Sequence, residues 1–510
     1  MRVLARLEKR REIWFLFIVS FLFFLLRLPS LIEPYWYGDE GIYQVIGMAL
    51  REGRALYSGI WDNKPPLLYL TYALFAADQF TIRLVSLLFG LGAVLVFFFL
   101  ATSLFRSKNI VYFITTLYAV LYGLPLIEGN IANAENFMQL FILGAGLIVF
   151  RLFEKREIDH HPFSVAALHY VYYKTFLAGV FLGIAFLFKI VAIFDIAALA
   201  CFILIVHLPF TRISFQFIKE HQKILFHGMG NILSLLFGFV VPTLLTMTYF
   251  YLRGGFAEFM QATFFSNIGY VGHKNELFFP QGFLLLRAFL LSSVVAVLLS
   301  KRKLINVEAL FIVLWFAFSV FNAYFSNRPY THYVLVALPS TMLFIGLLIQ
   351  LFRRHRLIVI MACIGIVLLA RNFGFYSLKK TVGYYPNYLQ FVLQQKSFRD
   401  YIAFFDSDTP RDYAVANILR RHPPENNTVF IWGNSASMYA LSDTLPPGRY
   451  TVAYHIGSNK AAVAETAAAI EETKPGFIVI MPDIPYVPFS LTDYTYRITL
   501  RDTSIYERTH

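Results

Sequence analysis

Long apolar stretches recur along this chain, each about the length a bilayer demands and each set off by Lys/Arg clusters, and this pattern constrains the fold more than any other feature. With 58% hydrophobic residues and only 15% charged, a water-soluble globule is excluded. The expected class is an α-helical polytopic membrane protein. Spans are predicted near 13–30, 83–105, 109–125, 136–151, 175–189, 192–208, 225–251, 284–300, 306–323, 333–352 and 357–374. Basic clusters at Arg2 to Arg11, Arg106 to Lys108, Arg151 to Arg156 with Lys174, Arg212 to Lys223, Lys301 to Lys303 and Arg353 to Arg356 are then cytoplasmic. Eleven spans put the N-terminus inside and the C-terminus outside.

The formal net charge of +13 would suit a nucleic-acid binder if it covered a soluble surface. Residues 1–371 carry 31 Lys+Arg against 18 Asp+Glu (31 − 18 = +13), whereas residues 372–510 carry 13 of each (net zero). The surplus belongs to the membrane half, so no nucleic-acid partner is expected. Cys201 and Cys363 both lie in apolar runs and give no disulfide framework.

Residues 31–82 form a long first external loop. Leu67 to Ala77 is apolar but too short to cross, and a crossing there would invert every later segment, so it reads as an interfacial helix. The N-terminal basic-then-apolar pattern has Arg27 and Pro29 where a signal peptide has its small-residue cleavage site, and is expected to stay attached as the first span.

Chemistry concentrates on the external side. Asp39 and Glu40 stand between Gly38 and Gly41, where a tight turn would present two carboxylates beside apolar surroundings. Lys64 precedes Pro65-Pro66, which should hold it just ahead of the next helix. Between spans three and four lies Glu128-Gly-Asn-Ile-Ala-Asn-Ala-Glu-Asn136, too polar for a bare connector, although Asn130 and Asn133 could serve as helix caps and Glu135 as a solvated first-turn residue. Lys189 and Asp195 flank a turn and suit either a snorkelling pair or a ligand role. The 253–282 loop, with its phenylalanines, Tyr270, His273 and Lys274, reads as an interfacial lid or a passive headgroup contact. Arg328 and His332 in the last external turn could meet a phosphate. Gly179 and Gly183 suit close helix packing. No GxGxxG after a strand, Walker motif, CxxC or HExxH occurs, so nucleotide binding and structural zinc lack support.

From about Phe375 onward helices and strands alternate, indicating an extracytoplasmic α/β domain at 375–510 after a membrane domain at 1–374. Strands are expected at 428–432, 449–454, 476–481, 496–500 and 504–507, with helices at 412–421, 435–442 and 461–473. The Trp432-Gly433-Asn434-Ser435 turn is the most site-like feature of this domain, and Asn426-Asn427-Thr428 matches a glycosylation sequon.

Asp39-Glu40, Lys64-Pro65-Pro66-Leu67, Asn133-Ala-Glu135, Lys189, and His332-Tyr333 with Pro339, taken in order over residues 10–350, resemble the membrane glycosyltransferases of the GT-C superfamily. The nearest likeness is to the bacterial branch holding the aminoarabinose lipid A transferase and the protein O-mannosyltransferases. That resemblance implies a polyprenyl-phosphate sugar donor, transfer on the external face of the plasma membrane, and Asp39 as catalytic base. Glu40 would be its neighbour, and Glu135 the second acidic position, with Glu128 an alternative. Lys64, Arg328, Lys189 and His332 are expected around the donor phosphate, and Tyr43, Asn133, Tyr333, His273 and Lys274 around the substrate. No cofactor is certain; a divalent Mg or Mn on Asp39, Glu135 and His332 is one option. The acceptor would be a glycan, lipid or protein hydroxyl, attacked with inversion. A transporter or flippase of a lipid-linked glycan is the competing class, but the ionisable groups gather at one face and no paired broken helices are evident.

Overall fold

The architecture is that of a computed structural model describing residues 2–154, 165–207, 222–268, 284–326, 328, 330–352, 354–371, 378–457, 459–482, 484 and 486–509. Apolar composition builds α1 (Arg2–Arg27), α4 (Gln79–Leu104), α5 (Lys108–Gly123), α6 (Ala134–Phe153), α7 (Val165–Phe188), α8 (Ile193–His207), α9 (Gln222–Leu252), α11 (Leu284–Ser300), α12 (Val307–Tyr324), α13 (His332–Leu351) and α14 (Arg356–Ala370). Three short helices punctuate their connections: α2 (Gly38–Arg51), α3 (Pro66–Leu74) and α10 (Phe256–Met260). Among the described residues eight helices are long and apolar enough to cross a membrane, and α11 and α14 are apolar but shorter. Every expected span coincides with a helix.

Local signals set the boundaries. Asp78 caps α4 by accepting from Thr81 N at 2.9 Å, and Asn306 caps α12 by accepting from Ala309 N at 2.9 Å. Pro66 opens α3, where its missing N–H costs nothing, and the helix is nine residues long. Gly179 and Gly183 let α7 and α9 touch backbone to backbone: a Cβ on Gly183 would stand 2.6 Å from Phe239 O, and one on Gly179 would run into Leu235 O.

Gly38 to Gly41 is the one place in the first loop where the local geometry differs from expectation. It starts α2, with Asp39 and Glu40 in the first turn, where the helix dipole favours carboxylates. Successive residues on a helix point about 100° apart, so the two acids face different surroundings.

The C-terminal domain begins with α15 (Leu378–Val392), α16 (Phe398–Ala403) and α17 (Thr409–Arg421), followed by β1 (Val429–Trp432), α18 (Ser437–Ser442), α19 (Ala453–Gly457), α20 (Lys460–Thr473), β2 (Phe477–Ile480), β3 (Tyr494–Leu500) and β4 (Thr503–Arg508). The sheet order is β1-β2-β4-β3, with β1 parallel to β2 and the other pairs antiparallel. The strand expected at 449–454 is instead an irregular segment leading into α19. Its backbone is engaged elsewhere: Arg449 O accepts from Trp61 N at 2.8 Å, and Ala453 N donates to Gly433 O at 2.8 Å.

This domain is docked on the first loop. Arg54 donates to Pro446 O at 2.8 Å, and Gly41 lies so near α18 that a Cβ would sit 2.7 Å from Ser437 N. Beneath the joint, Arg83 and Glu33, both fully buried, pair at 2.8 Å, and the Tyr384 hydroxyl of α15 donates to Glu33. Buried charges persist only when paired and hydrogen-bonded, so this cluster fixes α15 against the membrane helices.

Candidate active site

A cavity of about 770 Å³, within the range typical of small-molecule sites, opens where the connections meet. Its walls come from the first loop, from the connections after α5, α7, α9 and α12, and from α19 of the C-terminal domain. These are the connections that alternate crossings leave on one face, and among the described residues none of the basic clusters lines it.

Asp39 lines this cavity, its side chain one-third exposed into it. Tyr43 donates to Asp39 Oδ2 at 2.9 Å, and Lys64 Nζ stands 3.4 Å from the same oxygen. Burial by itself would raise the Asp39 carboxyl, but the charges of Lys64 and His332 and the hydrogen bonds from Tyr43 and Lys64 outweigh it, holding the group at about 2. Lys64 is itself shared with Asp62, 3.6 Å away, and lies 4.7 Å from the Tyr43 ring centroid. Burial opposes its charge, yet Asp39 and Asp62 prevail and raise it above the ordinary lysine value. Its backbone is clamped: Lys64 N donates to the Tyr69 hydroxyl at 3.1 Å, and Lys64 O accepts from Tyr57 at 2.8 Å.

A second cluster gathers cations. Lys189 pairs with the carboxylate of Glu135 and lies 4.6 Å from the Tyr333 ring centroid. The two ring nitrogens of His332 face two acids, Nδ1 at 3.0 Å from Glu128 and Nε2 at 3.9 Å from Glu135. Tyr37 donates to Glu128 at 2.6 Å. Burial first, then the Glu128 and Asp39 charges, keep the Tyr37 phenol well above its ordinary pKa, so it stays a donor. Glu128 adopts left-handed backbone at φ 60°, uncommon for a non-glycine residue and found where the fold holds a side chain in place.

The structure separates the expected site residues. Asp39, Lys64, Glu128, Lys189, Arg328, His332 and Tyr333 line the cavity. Tyr43 and Asn133 stand behind it, the latter 3.4 Å from the Tyr37 hydroxyl. Of the two acids left open after α5, Glu128 reaches the cavity wall, and Glu135 is buried behind Lys189. Glu40 is turned away: it is buried, forms two hydrogen bonds with Arg83, and accepts from Ala132 N at 2.8 Å. Lys189 and Asp195 are not a pair, since Asp195 accepts from Trp315 at 2.8 Å. Asn130, instead of capping, donates to Glu33 at 2.8 Å. In the expected lid, Phe259 is buried with its ring 4.7 Å from that of Phe250, facing protein and not lipid. His273 and Lys274 lie outside the described residues.

Among the described residues no group of three or more His, Cys, Asp or Glu is arranged to hold a metal. Asp39 and Glu135 are paired with Lys64 and Lys189. Sequence reasoning missed Asp62, Asn267, Tyr454 and His455. Asp62 was in view beside Lys64, but the α19 pair carries no motif and reaches the cavity only through the domain docking.

Part of the sequence, and the fold as a whole, are similar to those of known proteins. Residues 53–254 match the family described as dolichyl-phosphate-mannose-protein mannosyltransferase. The chain is similar to the crystal structure of ArnT from Cupriavidus metallidurans bound to undecaprenyl phosphate, at 14% identity and a TM-score of 0.54 over 97% of each chain. A looser likeness, with a TM-score of 0.49 at 11% identity, joins 93% of this chain to 70% of the archaeal oligosaccharyltransferase AglB from Archaeoglobus fulgidus. No curated protein matches by sequence.

Proposed function

We propose that the protein transfers a hexose or pentose from a polyprenyl-phosphate donor to an acceptor hydroxyl on the extracytoplasmic side of the plasma membrane, with inversion. The carrying observation is Asp39 facing a cavity whose walls also carry Lys64, Lys189, Arg328 and His332, beside two further carboxylates, Asp62 and Glu128. The ArnT structure similar to this chain is bound to undecaprenyl phosphate, which supports a lipid phosphate here. The basic clusters in the sequence support a cytoplasmic N-terminus.

Asp39 accepts the acceptor hydroxyl's proton as its oxygen forms the new bond to the anomeric carbon. The bond from that carbon to the phosphate oxygen breaks, and the electron pair leaves with the polyprenyl phosphate. Lys189, Arg328 and His332 hold the charge that develops there. A single displacement of this kind inverts the anomeric centre.

The test is transfer of radiolabelled sugar from an undecaprenyl-phosphate-linked donor by membranes of a strain expressing wild-type or Asp39→Asn protein. Loss of transfer, with undecaprenyl phosphate still bound, is expected; wild-type transfer by the variant removes the base.

A further inference from the structure

The cavity is chemically divided. Lys189 and His332 gather round Glu135 at one end, and contacts run from Asp39 through Lys64 to Asp62 at the other. Beyond Asp62 the wall belongs to the C-terminal domain: His455 Nε2 lies 3.8 Å from Asp62 Oδ1. The His455 ring meets Trp61 edge-on at 4.9 Å and Tyr454 at 4.4 Å. The Trp432–Ser435 turn, site-like in sequence, is what places these residues, since Asn434 Oδ1 accepts from Tyr454 N at 3.2 Å and Gly433 O accepts from Ala453 N at 2.8 Å.

We infer that this joint, formed by Trp61, Asp62, Asn63, Tyr454 and His455, is the acceptor subsite and that it takes a neutral saccharide. The inference rests on the glycosyltransferase reading and adds the acceptor class to it. Three observations carry it. Aromatic faces beside a carboxylate and a side-chain amide suit a ring that is apolar on its C–H face and rich in hydroxyls at its edge. Among the described residues lining this end of the cavity, the ammonium within reach is that of Lys64, already shared by two carboxylates, which favours an uncharged acceptor over a phosphorylated one. An extended peptide is commonly recognised along a strand edge, whereas α19 and the turn before α3 supply rings and side-chain groups. The subsite also adjoins the base, because Lys64 links Asp62 to Asp39.

The test uses the purified full chain in detergent, with saturation-transfer NMR on a mixture of neutral oligosaccharides, a serine/threonine peptide and a short-chain anionic phospholipid. Thermal stabilisation by undecaprenyl phosphate is measured alongside. Signal transfer to the oligosaccharides is expected, falling about fivefold or more in Tyr454→Ala, a half-exposed position where truncation spares the core. His455→Gln should weaken the same signal, and stabilisation by undecaprenyl phosphate should persist in both variants. Transfer to peptide or phospholipid in place of oligosaccharide overturns the inference, as does an oligosaccharide signal that neither variant diminishes. Absence of stabilisation by undecaprenyl phosphate in the wild type overturns the donor reading itself.

Discussion

Asp39, held at about 2, is a weak base as long as Lys64 stays beside it. Donor binding should change that, because an arriving phosphate competes for the ammonium. At 3.4 Å and an effective dielectric of about 20, the Lys64–Asp39 attraction is about 5 kcal/mol. Halving it for the third of the Asp39 side chain open to cavity water leaves about 2.5 kcal/mol, or about two pH units. The acid limb of kcat, which reports the donor-bound enzyme, should therefore lie about two units above that of kcat/KM, which reports the free enzyme. The assay is initial-rate sugar transfer from pH 3 to 8 at limiting and saturating donor. Asp39→Asn keeps an acceptor for the Tyr43 hydrogen bond but not the base, and should cost about 10²- to 10⁴-fold in kcat. Coincident limbs, or a kcat limb at the lower pH, would refute the exchange of partners.

Glu40→Ala strips a fully buried guanidinium of one of its two carboxylates, so it should destabilise the fold by about 3 kcal/mol, read as a lowered Tm in detergent. Gly41→Ala pushes a methyl to within 2.7 Å of Ser437 N, and faster hydrogen exchange in α18 should report the loosened joint. Lys64→Met should lower transfer about 10- to 100-fold without unfolding the loop, whose backbone is tied to Tyr57 and Tyr69; circular dichroism and donor turnover separate the two effects. Asp39 also contributes to pH-dependent stability. Its folded pKa lies below the unfolded value of about 3.9, so its contribution is full above about pH 5 and is lost as pH falls towards 2. Between pH 5 and 3 the wild type should lose more Tm than Asp39→Asn.

The helices were legible because each apolar run is long, periodic and bounded by its own charges. The nine-residue α3 was legible on a different ground, as an apolar run opened by Pro66 and too short to span. Which acid faces the cavity was less so. Asp39 and Glu40 are neighbours of the same chemistry, and only the phase of α2, set by its packing on α3 and α18, sends one to the cavity and the other to Arg83. Glu128 and Glu135 posed the same difficulty, resolved by a left-handed residue that no pattern announces. The strand expected at 449–454 has strand-like residues, but its backbone groups bond the first loop and the Gly433 turn, a tertiary demand that overrides propensity. Tyr454 and His455 sit some 390 residues from Asp62, a separation that local pattern cannot bridge.

On the proposed mechanism, the partnering of acids with lysines keeps Asp39 a weak base until a phosphate-bearing donor arrives. With no lipid phosphate present, Lys64 lowers the proton affinity of Asp39, Glu135 pairs with Lys189, and Glu128 lies against His332. A phosphate that draws these cations towards itself frees the carboxylates in the same event, so leaving-group stabilisation and base strength rise together. The joint with α19 adds a second condition. Asp62 holds Lys64 from the acceptor side, so a hydroxyl-bearing ligand bonded to Asp62 would weaken that hold and let Lys64 follow the phosphate. Lys64 touches both Asp39 and Asp62. Its side chain therefore carries the coupling between donor arrival and acceptor activation, while the clamped backbone around it stays still.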